Sequence, residues 1–281
     1  MESLARVKLR LYHHPDGARV AYRETGTGPA LVILHSLRFS HREFAPVVDD
    51  LAARYRVVLP DLPLHGDSED RPRHPYTLDW FAEVLAGFCL DTAGPRPLVA
   101  GHDFGAHVLL RAIERGLLDP ARVVLMPAAL HRPVAREHWR TLARAGAIPG
   151  VDRALTHLAK AAFRPDRGLQ LSARGDPAAR DLVRHALADV AGNVNLARSW
   201  ARFARNGPHG PQRELLDLYP RIAAPVLLLW ADQDRRHPLQ GAEEALDLLP
   251  VAQLRVLRRT GFLIAYDDPV GVARELTAFC G

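Results

Sequence analysis

The 281-residue chain is 48% hydrophobic and 25% charged, values that exclude a disordered, collagenous or disulfide-stapled polypeptide. Lys plus Arg total 37 against 32 Asp plus Glu, a net charge of +5. The basic residues are interspersed with acids and form no run of the kind that grips nucleic acid.

Nearly all of them are arginine, with Lys8 and Lys160 the only lysines, as a coding bias toward Arg would produce. No apolar stretch approaches the ~20 residues needed to span a bilayer, and Met1 to Arg10 show no secretory apolar core. Cys89 and Cys280 have no metal-ligand spacing, which fits a reduced compartment. The expectations are a cytoplasmic location, no metal or other cofactor, and neither nucleic acid nor membrane as partner.

Alternating apolar residues open the chain: Val7, Leu9 and Leu11, then Val20 and Tyr22 beyond the turn His14-Pro15-Asp16-Gly17. This pattern predicts a β-hairpin. Leu31 to Leu34 is a short apolar run of the kind buried on both faces of a parallel sheet. A helix is predicted from about Ser40 to Arg54 with Ser40 as its N-cap, then a strand over Tyr55 to Asp61. Thr77 caps a helix running to Ala93. A strand over Pro97 to Gly101, a helix over Phe104 to Arg115 and a strand over Arg122 to Met126 follow. After a long gap come a strand over Pro225 to Trp230, a helix over Leu239 to Leu248, a strand over Leu254 to Leu257 and a helix over Pro269 to Phe279. Such alternation predicts an α/β fold with a mostly parallel sheet. The gap, roughly Ala129 to Arg221, shows helical stretches at Ala178 to Val190 and Val194 to Phe203. It reads as a helical insertion over the sheet, dividing the chain into core residues 1–128, a cap at 129–221 and core residues 222–281.

The stretch that carries chemistry is Gly101-His102-Asp103-Phe104-Gly105, lying between a strand and a helix. Small residues at both ends permit a sharp turn that lifts the central side chain above the sheet. The following helix aims its N-terminal N–H groups at the same spot. Asp103 there is either a nucleophile or a cap for that helix. With this motif in place the chain resembles the α/β-hydrolase superfamily over nearly its whole length. The Gly-His-Asp-x-Gly form resembles its epoxide hydrolase and haloalkane dehalogenase branch. The resemblance implies an eight-stranded, mostly parallel sheet with flanking helices and an inserted helical cap, and a carboxylate nucleophile that is already ionised at neutral pH.

Further landmarks follow from that resemblance. His35-Ser36-Leu37-Arg38 stands where the family has His-Gly-x-Pro, so the Leu37 and Phe104 N–H groups are the expected oxyanion donors. Arg38 is either a pocket cation for an anionic group or a solvated side chain. Asp61 to Ser68 matches a structural loop. Trp230-Ala231-Asp232-Gln233-Asp234 aligns Asp234 as the acid and leaves Asp232 to the loop. The family's histidine falls on Phe262, and no histidine follows His237. Without an imidazole to activate water, an alkyl-enzyme ester does not turn over. Phe104 also lacks the N–H of a dehalogenase tryptophan, and Tyr219 is the only tyrosine between Ala129 and Arg221.

Three readings stay open. In the first, a cofactor-independent enzyme uses Asp103 without the usual imidazole to isomerise, cyclise or open a small or medium-sized metabolite, with Phe262 drying the site and raising the Asp103 carboxyl. In the second, an epoxide hydrolase or dehalogenase has a relocated base: His237 on the acid loop is the first candidate, and His35 and His102 are the next. In the third, the protein binds a ligand without catalysis. His131, directly after a core strand, is the cap-region residue best placed for the pocket. Arg38, Arg235 and Arg236 lie on loops expected to face it, which favours an anionic or oxygen-rich substrate. The oligomeric state is left open.

Overall fold

Short apolar strands flanked by amphipathic helices bury best as a sheet sandwiched between helix layers. A computed structural model describes residues 7–69, 71, 73–132, 171–190, 194–207 and 212–281. The strands are β1 (Arg10–His13), β2 (Arg19–Thr25), β3 (Ala30–Leu34), β4 (Arg56–Pro60), β5 (Leu98–Gly101), β6 (Arg122–Leu125), β7 (Val226–Ala231) and β8 (Ala252–Leu257). They form one 8-stranded sheet in the order β1-β2-β4-β3-β5-β6-β7-β8. The predicted hairpin is present, and β2 pairs antiparallel with both β1 and β4. All other pairings are parallel.

Helices occupy both faces. After a 3-10 turn at His41–Val47 the described helices are α1 (Val48–Ala52), α2 (Leu78–Ala93), α3 (Phe104–Glu114), α4 (Pro177–Val190), α5 (Val194–Asn206), α6 (Leu215–Leu218), α7 (Leu239–Leu248), α8 (Ile264–Asp267) and α9 (Pro269–Cys280). Side-chain alternation along each strand assigns the two cores. Val32, Leu34, Val99, Leu125 and Trp230 pack with residues of α2, α3, α5 and α7. Leu31, Ile33, Val124 and Leu229 pack on the other face with residues of α1 and α9.

The predicted caps form: the Ser40 side chain accepts from the Arg42 N–H, and that of Thr77 from the Trp80 N–H. The helix expected over residues 40–54 differs. Pro46 lies inside its first half, which is a 3-10 turn, and only α1 is α-helical. A proline has no N–H to give an α-helical ladder, so the tighter turn takes its place.

Part of the cap predicted at residues 129–221, including His138, Trp139, His157 and His209, lies outside the described residues. Among the described residues between β6 and β7 there is helix and no strand. On α5, Phe203 stands edge-on to Phe104 at 5.4 Å, and Trp200 edge-on to His65 at 5.2 Å. Arg202 and Asn206 on the same helix donate to the carbonyls of Arg73, His74 and Pro75. Among the described residues, no helix is long and apolar enough to cross a membrane.

The sheet order makes a crevice. The chain leaves β3 toward β4 on one side and leaves β5 toward β6 on the other, while β3 and β5 are neighbours. Loops diverge above their carboxyl ends, the position where open α/β sheets hold ligands.

Asp267 is fully buried in α8. Its carboxylate accepts from the Ser172 hydroxyl and from the N–H groups of Ala173, Arg174 and Gly261. Asp267→Ala leaves several buried donors without an acceptor and is expected to cost ~3 kcal/mol, measured as a lower urea midpoint with an unchanged m-value.

Candidate active site

Asp103 sits at the turn between β5 and α3 with φ 48° and ψ −109°, a conformation that non-glycine residues avoid. The neighbouring glycines make the turn possible. A Cβ on Gly101 would stand 2.7 Å from the Ala106 nitrogen, and one on Gly105 would stand 2.6 Å from Leu34 Cβ and 2.8 Å from the His35 carbonyl. The strain is held by backbone bonds from Asp103 N–H to the Pro127 carbonyl and from His102 N–H to the Leu34 carbonyl.

The raised carboxylate, 20% exposed, meets two groups. Oδ2 accepts the Leu37 N–H at 3.1 Å. Oδ1 faces Nε2 of His237 at 3.4 Å. The Nδ1–H of that imidazole donates to Asp234 Oδ2 at 2.8 Å, and the other oxygen of Asp234 accepts the Arg236 N–H. Trp230, buried in β7, donates its indole N–H to the His237 carbonyl at 2.8 Å and so fixes the height of the loop. Asp232 lies outside this group and accepts the Thr260 N–H.

Phe262 is buried against the same imidazole. Its ring lies 5.6 Å from that of His237 and 4.5 Å from that of His102, and the Arg236 guanidinium stands 5.2 Å from its centroid. Phe262 therefore backs an imidazole supplied by another loop. The expected rise of the Asp103 carboxyl is not what the electrostatics give. Burial does push it up, but the hydrogen bond and charge of His237, with smaller help from His107 and His102, hold it well below the carboxylate range. Burial likewise opposes the charged form of His237, and the two carboxylates prevail, raising it to about 9. Asp234 is held low by His237 against its own burial.

Beneath the crevice a second carboxylate is fully buried. Glu43 accepts from the Ser36 N–H at 2.7 Å, the Ser36 hydroxyl at 2.8 Å and His102 Nδ1 at 2.8 Å. It tethers the turn that carries the Leu37 N–H to the residue preceding Asp103. The sequence reading missed it. Its only signal was the Ser40-x-x-Glu43 spacing, which reads as a helix start.

Other expected residues fall elsewhere. His35 is structural: its Nδ1–H donates to the Ser36 carbonyl and its Nε2 accepts the Leu62 N–H. His131 is not brought to Asp103. Its Nε2 pairs with Glu244 of α7 at 2.8 Å and its Nδ1 faces the Tyr219 hydroxyl at 3.4 Å, because a buried imidazole takes the nearest carboxylate. Arg38 follows Leu37 at φ 72° and is half-buried. Phe104 opens α3, so its N–H belongs to the same turn. His41, Asp61 and Asp67 bring possible metal ligand atoms within 4.8 Å of one another. The Arg23 guanidinium already pairs with both carboxylates there, so the cluster is an ion-pair network.

A strained elbow, an imidazole and a loop acid on this sheet order define a known architecture, and the profile of the Alpha/beta hydrolase family matches residues 31–275. The chain belongs to the alpha/beta hydrolase family. It is 32% identical to the magnesium-chelatase 30 kDa subunit of Rhodobacter capsulatus over 81% of this chain and 78% of that one. It is 30% identical to the pimeloyl-[acyl-carrier protein] methyl ester esterase of Xanthomonas axonopodis pv. citri over 89% of this chain and 95% of that one. The fold is similar to that of an epoxide hydrolase, with a TM-score of 0.76 at 15% identity over 98% of this chain and 99% of the other.

In this hydrolase-family site the raised imidazole has a measurable consequence. Folding lifts His237 above its unfolded value near 6.5. Its pairing therefore stabilises the fold fully below about pH 6.5 and is lost as the pH rises through about 9. Imidazole NMR is expected to show His237 titrating near 9, and at least ~1 unit lower in Asp103→Asn. The fall in Tm between pH 6.5 and 9.5 is expected to be shallower in that variant.

Proposed function

We propose that this chain hydrolyses an epoxide through an ester formed on Asp103, with His237 as the proton-transfer group and Asp234 as its orienting acid. The observation that carries this reading is His237, with Nε2 3.4 Å from Asp103 Oδ1 and Nδ1 2.8 Å from Asp234. The non-hydrolytic reading rested on a missing imidazole, and the His237 ring beside Asp103 favours the hydrolytic one.

The chemistry follows from the charges. The resting site holds an ionised Asp103 beside a protonated His237. Oδ1 attacks an sp³ carbon of the epoxide and the C–O bond of the ring breaks. The released oxygen takes the proton of His237 and becomes a hydroxyl. Esterification removes the Asp103 charge, so one of the two carboxylates that kept the imidazole protonated is gone. The neutral imidazole then takes a proton from water, and hydroxide adds to the ester carbonyl carbon. Negative charge develops on Oδ2, the oxygen that already faces the Leu37 N–H at 3.1 Å, a geometry suited to an oxyanion. Collapse expels the alkoxide, which takes a proton from His237. The carboxylic acid of Asp103 returns its proton to the imidazole, and the starting ion pair is restored.

The expected products are diols. In a single turnover in ¹⁸O-labelled water the label enters the Asp103 carboxylate before it reaches product. Asp103→Asn abolishes diol formation. His237→Gln lowers turnover by ~10³-fold or more, slowing ring opening and water activation alike, and the ester that does form on the Asp103 peptide persists to be seen by mass spectrometry. Label in the first diol without an adduct would refute the ester. A ligand-binding role without chemistry predicts neither adduct nor diol.

A further inference from the structure

Formation of the ester proposed above removes one of the two charges that hold His237. In the free protein the imidazole faces Asp103 through Nε2 at 3.4 Å and Asp234 through Nδ1 at 2.8 Å. Once Asp103 is an ester, Asp234 alone of these two still carries charge. A ring bonded at one atom swings about that bond, whereas water activation needs Nε2 held toward the ester carbonyl. The second half of the reaction therefore depends on a contact that does not fade with the charge.

Phe262 makes such a contact. Its side chain is 2% exposed, and its ring centroid lies 5.6 Å from that of His237 with the planes inclined by 32°. That separation is within the range of an interacting aromatic pair, and the attraction comes from packing, so neutralising Asp103 leaves it in place. Both carboxylates reach the imidazole at its nitrogens; Phe262 packs on the ring itself.

Phe262 is itself held from several sides. The His102 ring, whose Nδ1 is tied to Glu43, lies 4.5 Å from it, and the Phe39 ring lies 6.4 Å from it. The Arg236 guanidinium, borne by the residue before His237, stands 5.2 Å from the ring centroid, a cation–π distance. The backbone is pinned on both sides: the Gly261 N–H donates to Asp267 and the Leu263 N–H to the Leu171 carbonyl. Phe262 also shares an apolar cluster with Ala179, Leu182 and Val183 of α4. A flat ring fixed in this way acts as a rigid wall. An aliphatic side chain in its place fills space but keeps rotatable bonds.

We propose that Phe262 is a positioning residue for ester hydrolysis: its ring keeps His237 aimed at the ester once the charge of Asp103 is gone. This rests on the epoxide reading above and adds to it a residue that acts through the imidazole without touching the substrate. Before the ester forms, the Asp103 charge shares the task, so ring opening depends on Phe262 much less.

The test separates the two half-reactions with 1,2-epoxyhexane, quenching at successive times and following the ester on the Asp103 peptide by mass spectrometry. In Phe262→Leu, decay of the ester is expected to slow about tenfold or more, and its formation by less than about threefold. Phe262→Tyr, which keeps the flat ring, is expected to recover most of the decay rate. Equal slowing of both steps in Phe262→Leu, or of neither, would overturn the proposal and leave Phe262 as packing alone. If 1,2-epoxyhexane forms no ester on Asp103, the epoxide reading fails separately, and NMR decides Phe262. Asp103→Asn removes the charge as the ester does. The order parameter of the His237 ring is expected to stay near ~0.85 in that variant and to fall below ~0.6 when Phe262→Leu is added. A ring equally ordered in both would overturn the proposal.

Discussion

One imidazole held between two carboxylates governs this site. His237 touches Asp103 on one side and Asp234 on the other, and each contact makes sense only because the other exists. Burial disfavours the charged ring, and the hydrogen bonds and charges of the two carboxylates together overcome it, raising it to about 9. The charged ring in turn keeps Asp103 ionised in a place where burial alone would favour the acid. The rest of the molecule supplies the placement: the strained turn after β5 raises one carboxylate, and β7 with its Trp230 anchor sets the loop that carries the other two groups.

Phe262 takes its meaning from this arrangement. It stands where the resemblance led one to expect the base, and its ring lies against His237, His102 and the Arg236 guanidinium. The imidazole comes from the loop after β7, three residues beyond the acid that orients it. A short tether between acid and base lowers the conformational cost of bringing them together. Meanwhile the loop after β8, relieved of an imidazole, is tied down by Asp267.

Much of the fold was legible because periodicity is local. The strands expected from Leu31, Pro97, Arg122 and Pro225 begin within one residue of those positions, and the caps at Ser40 and Thr77 and the elbow at Asp103 fall where the pattern predicted. The 3-10 turn before α1 shows the limit, since one proline changes the hydrogen-bond ladder without altering the apolar spacing. Glu43 shows another. An acid three residues after a cap reads as a helix start, and only the approach of Ser36 and His102 makes it a buried tether. His131 failed in the opposite direction: its position after β6 suggested the pocket, but Glu244 on α7, distant in sequence, claims its ring.

The sequence by itself determined the α/β class, the sharp turn at Asp103, the loop acid Asp234 and the absence of a histidine at position 262. Each of these depends on residues close together in the chain. Whether an imidazole nevertheless reaches Asp103, which titration state it holds, and what packs against its ring were decided by tertiary structure alone. Those properties arise where the ends of β3, β4, β5 and β7 meet, and distance and desolvation there depend on segments far apart in sequence.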